Sequence, residues 1–487
     1  MARLHLQLAI VGAYLGIALA VGVVAYRLTE DTAEDYYLAS RTLGTVVLLF
    51  TTFATLLSAF TFFAGPNIAY SIGPEWILVM GVMDGLLFAV LWYVVGYKQW
   101  LVGRTRGYVT LGEMLGDRFG SKPLRGLVAG ISLFWLFPYV MLQQRGAGIA
   151  LEALTDGAVP YWAGALVITL FMILYVAISG MRGVAWTDTL QGAFMLSVVW
   201  LAVLWVLAEV GGPGVATARM GEAAPEFLAL GGGAYTPQYV VSTAVSIAFG
   251  VTMFPQINQR FFAAGSKETL QRTFSLWPVL VLLLFVPAFM LGAWARGLGV
   301  QVPEGSNVLP ILLGEYTAPW FAAVVIAGAL AAMMSSSDSM LLSGSSYLTR
   351  DLYRPLVGAS DREALVARLG VVAFALGAFV LSLHTNATLL QIGDTAFGGF
   401  AQLALPVVVA LYWTRTTRAG ITAGIVGSQA FYLASVFLAQ VPGSYAGWSG
   451  SIVGMGLGLL LTLGVSLVTT PAETERRAVY FEGLRAD

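Results

Sequence analysis

Long apolar runs separated by short polar breaks fill nearly the whole chain. Runs near or above the ~20 residues that cross a hydrocarbon core fall at 5–26, 43–71, 76–99, 124–154, 159–179, 188–210, 238–263, 274–297, 319–349, 365–384, 387–413, 419–439 and 447–469. The pattern predicts an all-α polytopic membrane protein with about 13 transmembrane helices. The first run, Leu4–Tyr26, exceeds the ~7–15 residues of a signal-peptide core, and no A-x-A-like site leads into a soluble domain, so it is expected to remain as a helix.

The polar breaks carry the orientation. Of the 25 Lys and Arg residues, 21 follow odd-numbered runs or sit in the C-terminal tail. Arg3, Arg219 and Arg296 lie on the other side, and Arg145 lies inside a run. Basic loops stay in the cytoplasm, so the N-terminus is expected outside and the C-terminus in the cytoplasm of a cell (plasma) membrane. The loop at about 98–125 is basic, and the external stretch 211–237 is Gly-rich and expected to be irregular. No soluble domain fits between runs. The expected division is a peripheral first helix and loop (1–42), a five-helix unit (43–210), a second five-helix unit (238–413), two peripheral helices (414–470) and a short tail (471–487).

Composition agrees and narrows the function classes. The 487 residues are 58% hydrophobic and 10% charged, with a mean hydropathy of +0.80, against about 25% charged in soluble domains. A net charge of −1 gives no field for nucleic acid. Cysteine is absent, and His5 and His384 stand alone and far apart. An enzyme would want paired carboxylates, a histidine–metal cluster or a nucleophile with its base. A channel would want a repeated ring of filter residues. Neither pattern is present.

Two runs are interrupted. The second, LLFTTFATLLSAFTFFAGPNIAY, is rich in hydroxyls that are followed by Gly65-Pro66; the seventh, STAVSIAFGVTMFPQINQRFFAA, holds Gly250 and Pro255. They open the two five-helix units, the positions at which transporters with inverted repeats break helices around a central site. Ordinary Pro and Gly in a packed bundle is the competing reading.

The ninth run contains ALAAMMSSSDSMLLSGSS (329–346), with seven serines and one aspartate. Ala332, Ser335, Ser336, Ser339, Ser343 and Ser346 share a helical face. Close helix approach accounts for Ser339, Ser343 and Ser346. Ser335 and Ser336 offer hard neutral oxygens of the kind a dry sodium ion takes. The Ala332 carbonyl would join them if the serines distort the helical ladder, and further carbonyls would come from the broken second run. Asp338 points away from this pair and is expected to hydrogen-bond structurally.

Charges within the runs are few, and buried ones tend to face cavities. Arg145, in FPYVMLQQRGAGIALEAL, suits a solute carboxylate, with Gln143 and Gln144 adding amides; pairing with Asp84 or Glu152, or snorkelling, is the alternative. Asp84 is expected as an internal partner for Arg145. Asp394 and Gln391 are expected as a helix-start cluster. The candidate solute-contacting residues are Ser58, Thr61, Gln144, Arg145, Phe254 and Gln256.

Four segments carry a resemblance: SGMRGVAWTDTLQG (179–192), NQRFFAAGSKETLQR (258–272), MMSSSDSMLLSGSSYLTRDLY (333–353) and AFGGFAQLALPVVVALYW (396–413). In order and spacing they resemble motifs of the sodium:solute symporter family, which includes carriers of proline, pantothenate, monocarboxylates and sugars. The resemblance implies a leucine-transporter-like core of two inverted five-helix repeats and sodium-coupled symport by alternating access. It implies Na+ held by the carbonyls of Ala54, Leu57 and Ala332 and the hydroxyls of Ser335 and Ser336, with Asp188 assisting sodium exit and Pro255 at a kink. One position departs: Leu56 is apolar where the proline and sugar carriers are polar. The expected cargo is a small organic solute, leaning to a monocarboxylate, pantothenate or an amino acid. Proton coupling, or a neutral solute such as a sugar, is the alternative. The expected partners are that solute, sodium and the bilayer, with no nucleic acid and a monomeric unit.

Overall fold

The computed structural model describes residues 2–27, 33–358, 362–471 and 480. Among them ten helices are long and apolar enough to cross a membrane, and two bent pairs bring the number to twelve. In chain order these helices, with the shorter apolar helix α6 among them, are α1 (Ala2–Tyr26), the pair α2 (Thr45–Leu56) and α3 (Phe60–Ile72), α4 (Ile77–Arg106), α5 (Lys122–Leu154), α6 (Tyr161–Val176), α7 (Gly180–Val210), the pair α8 (Pro237–Thr252) and α9 (Pro255–Ala263), α10 (Lys267–Gly297), α11 (Pro319–Ser346), α12 (Glu363–His384), α13 (Leu389–Tyr412), α14 (Arg418–Phe437) and α15 (Gly450–Val468). The shorter apolar helix α6 occupies the run expected at 159–179, so each expected run has its helix.

Local chemistry sets the ends. Ser121, Thr236, Ser266, Thr388, Thr417 and Ser449 each accept a backbone N–H in the first turn of the helix that follows, satisfying a donor that would otherwise be orphaned in an apolar medium. Thr388 and Gln391 form a reciprocal capping box. Gly180 breaks the α6–α7 rod with φ +56° and ψ −172°, a conformation open to glycine. As a result α7 starts eight residues earlier than the run at 188–210 suggested, and Asp188 sits two turns inside it. The stretch 211–237 is also more ordered than expected, since Pro213–Ala223 is helical.

Burial separates centre from periphery. The apolar window of α11 is 89% buried, while those of α1 and α12 are 22% buried. The serine-rich helix is therefore the axis of the molecule. The two bent pairs turn by 63° and 54° at Leu57–Ala59 and Met253–Phe254. Close approach of α8 to α13 depends on Gly250, where an added Cβ would lie 2.3 Å from the Phe397 carbonyl oxygen. Backbone cannot yield as a side-chain tip does. Gly250→Ala is expected to cost about 1–3 kcal/mol by overpacking, seen as a lowered Tm of purified protein.

The arginine-rich loops meet at one face. There Arg41 donates to the carbonyls of Tyr108 and Phe262, Arg118 to that of Trp413, and Glu113 takes both Arg125 and Arg350. The opposite face is tied by Asn67 to Ser306 and Asn307, by Tyr70 to Val300 and by Arg145 to Thr385.

Candidate functional site

The site begins where α2 stops. Leu57 leaves helical geometry with φ −76° and ψ 124°, which turns carbonyls at the end of α2 away from its hydrogen-bond ladder. The adjacent helix α11 presents Ser336, whose hydroxyl lies 2.8 Å from the Thr55 carbonyl and 2.7 Å from that of Leu57. Ser335 donates to Asp188 Oδ1 at 2.5 Å. A backbone break, two serine hydroxyls and a carboxylate from α7 thus meet in one fully buried place. Hydroxyl oxygens keep lone pairs for a cation when their hydrogens turn away. The set is hard oxygen throughout, the chemistry a sodium ion takes.

Two details differ from expectation. The carbonyl found beside Ser336 along with that of Leu57 is Thr55's, next to Ala54. And α11 is a continuous helix from Pro319 to Ser346, so no distortion frees the Ala332 carbonyl; only its second lone pair is left to offer.

Beneath this place lies a network that the sequence reading missed. Arg260 of α9 is 1% exposed and pairs with Asp188 Oδ2 at 2.8 Å. It also donates to Thr51 and Ser339, and to the Gln256 carbonyl. Thr51 donates to Asp188 at 2.5 Å, and Thr55 meets Ser339 at 2.8 Å. The 54° bend carries Arg260 inward, although the charge count placed it among the loops of the basic face. Ser339 belongs to this network rather than serving only close packing.

Beside the break is a cavity of about 20 Å³, lined by Leu56, Ser58, Phe60, Thr61, Met80, Phe88, Tyr139, Trp277 and Phe397 among others. That is space for about one water, so the centre is closed around it. Ser58 Oγ lies 3.3 Å from the Tyr139 hydroxyl, and Gln143 Oε1 accepts from the Ala59 N–H at 2.9 Å. Rings of Phe60, Tyr139, Phe254 and Phe397 pack on one another at centroid distances of 5.1–5.9 Å.

The candidate solute residues therefore divide. Ser58 and Thr61 line the central cavity, and Phe254 packs against Tyr139, which lines it. Gln256 is buried with both side-chain amide atoms unpartnered. Gln144 turns away, donating to the Ala375 carbonyl of α12; one residue is 100° of helix, and Gln143 is the amide that faces the break. Arg145 lines a different cavity near the face opposite the arginine-rich one. Asp84 does not pair with Arg145: both its carboxylate oxygens are buried without a partner. Asp338 Oδ1 is likewise buried and unpartnered, not the structural hydrogen bond expected. Gln391 caps α13, while Asp394 lines a cavity of about 360 Å³ with Tyr239, Ser246 and Phe397.

The chain matches the model of the sodium:solute symporter family over residues 36–427. It is 28% identical over 463 residues to the sodium/pantothenate symporter of Escherichia coli (strain K12), covering 93% of this chain and 94% of that one. It is 29% identical over 425 residues to the high-affinity proline transporter of Bacillus subtilis (strain 168), covering 84% and 87%. A solved structure of a Na+-coupled sialic acid symporter in a substrate-bound outward-open state superposes with a TM-score of 0.79 at 20% identity, covering 96% of this chain and 98% of that one. That likeness identifies the fold: a bundle of inverted repeats with a broken helix opening each.

Proposed function

The chain belongs to the sodium:solute symporter family, and from that premise we propose that it couples sodium entry to uptake of a small organic solute bearing a carboxylate. It is a membrane transporter, not an enzyme. The single observation that carries sodium coupling is the Ser336 hydroxyl, 2.7 Å from the Leu57 carbonyl and 2.8 Å from that of Thr55. Sodium binds there, drawing on Ser335, Ser336, Leu57 and the neighbouring carbonyls of Ala54, Thr55 and Ala332, and ties α2 to α11. Asp188, hydrogen-bonded to Ser335, receives the ion on its way to the basic face, which we place in the cytoplasm. The solute occupies the central cavity between the breaks, against Ser58, Thr61 and Tyr139, once rocking of the bundle enlarges it. A membrane potential contributes about 2.3 kcal/mol per 100 mV for each charge moved.

The carboxylate preference draws on Arg145 and on the pantothenate and proline carried by the relatives named above. The test is uptake by proteoliposomes of labelled pantothenate, proline, a monocarboxylate and a sugar. A sodium gradient is expected to drive one of the carboxylates. Accumulation of the sugar alone would overturn the solute class.

Proton coupling has one observation in its favour: Asp84 and Asp338 hold buried, unpartnered carboxylate oxygens, as a neutral acid carrying a proton would. Uptake driven by a pH gradient in sodium-free medium would establish that reading and remove the first.

A further inference from the structure

A cavity of about 300 Å³ opens between the outer end of α3, the Gly305–Asn307 loop, α5 and the start of α13. It shares no lining residue with the central cavity: Phe60 and Thr61 line the latter, whereas Ala64, Asn67, Ile68 and Ser71, a turn or more along the same helix, line this one. Its described lining residues include one guanidinium, three side-chain amides and three hydroxyls, and no carboxylate. Arg145 reaches it with one guanidinium N–H on the Thr385 carbonyl at 3.1 Å and its Nε unpartnered. The guanidinium stands 5.9 Å from the centre of the Tyr161 ring. Among the described residues no carboxylate forms an ion pair with it. Asn307 is 4% exposed; its Oδ1 accepts from Asn67, and its Nδ2 has no partner. A buried amide donor without an acceptor is destabilising, and a guanidinium with no ion pair lining the same cavity suits an acceptor with two oxygens.

We propose that this cavity is a carboxylate-docking site, separate from the central cavity, in which Arg145 and Asn307 Nδ2 hold the acidic group of an incoming solute. Arg145 acts there as a specificity residue at the entrance, away from the centre. The role in uptake rests on the symport reading above; docking of the carboxylate does not. The cavity lined by Asp394 shares no lining residue with this one and holds a carboxylate where this one holds a guanidinium, so it serves as an internal control.

The chain has no cysteine, so single thiols report locally. Asn386→Cys places one in the proposed site and Ser444→Cys one in the Asp394-lined cavity. Purified protein in nanodiscs is treated with 2-sulfonatoethyl and 2-(trimethylammonio)ethyl methanethiosulfonate. The anionic-to-cationic rate ratio is expected to be roughly tenfold higher at position 386 than at 444, as one unpaired charge in a partly enclosed site would produce. Arg145→Gln in the Asn386→Cys background should bring the ratio down to that of a thiol with no charged neighbour, between the two original values. Acetate and pantothenate should slow labelling at 386, and acetamide should not. Arg145→Lys should keep the rate ratio but weaken protection, since it retains the charge and loses the fork. A ratio unmoved by Arg145→Gln, or equal protection by acetate and acetamide, overturns the proposal. If the labelling pattern holds while wild-type protein takes up no solute with sodium, the docking site stands and the symport reading falls.

Discussion

Replacing Ser335 and Ser336 together by alanine is expected to abolish sodium-stimulated uptake while leaving a folded, membrane-inserted protein. Among the described residues the Ser336 hydroxyl alone bridges α11 to the Thr55 and Leu57 carbonyls, and Ser335 holds Asp188 Oδ1. Removing two of an ion's oxygens, at about 1.4 kcal/mol for each tenfold, should raise the sodium concentration for half-maximal uptake by about 100-fold or more. The stranded carbonyls and carboxylate also lower stability, by about 1–3 kcal/mol each. Ser336→Thr separates the two effects: it restores a hydroxyl at the same place and should restore sodium dependence, with Tm recorded for every variant. An unchanged sodium activation curve in the double alanine variant would end the assignment of the ion to this place.

The elements that carry this site were legible for a definite reason. Apolar runs sized to a bilayer, and hydroxyls or prolines inside them, are constraints of the membrane itself, so the spans and both breaks could be read from composition alone. Ser335 and Ser336 stood out as adjacent hard oxygens on the serine face, and the family resemblance assigned them to sodium. What could not be read was which way a side chain turns at a bend. Arg260 follows Pro255 by five residues and looks like a loop charge in a linear count, yet the 54° turn at Met253–Phe254 brings it to Asp188. Gln143 and Gln144 are indistinguishable as letters, but a 100° step sends one to the Ala59 N–H and the other to Ala375. Arg145 lies in the expected span but lines the outer cavity and not the central one, since apolar periodicity does not say how far a long side chain reaches. Asp84, expected to neutralise it, lies elsewhere with no partner at all.

Breaking the Arg260–Asp188 pair is expected to open the basic face. The two groups are 1% and 0% exposed and 2.8 Å apart, and Thr51, Thr55 and Ser339 close the remaining space around them. Removing one member of a buried pair typically costs about 3–5 kcal/mol because the other charge is left dry. In a protein that alternates between two arrangements, that penalty falls on the closed state alone: once water enters, the lone charge is solvated. Asp188→Asn should therefore shift the population toward the open form by roughly 10² to nearly 10⁴-fold. Gln256, fully buried one turn from Arg260, is the reporter. In a Gln256→Cys background, labelling by a membrane-impermeant maleimide offered to the basic face should accelerate by a similar factor on adding Asp188→Asn. It should fall back when Arg260→Met is combined with Asp188→Leu, because two apolar side chains of similar reach can close the same gap without a charge to hydrate. That apolar pair should still fail to sustain uptake, since sodium leaving Ser335 then meets no carboxylate. Equal labelling in the Asp188→Asn variant and its parent would mean that the basic face is held shut by packing, and that the ion pair is a bystander to the transport cycle.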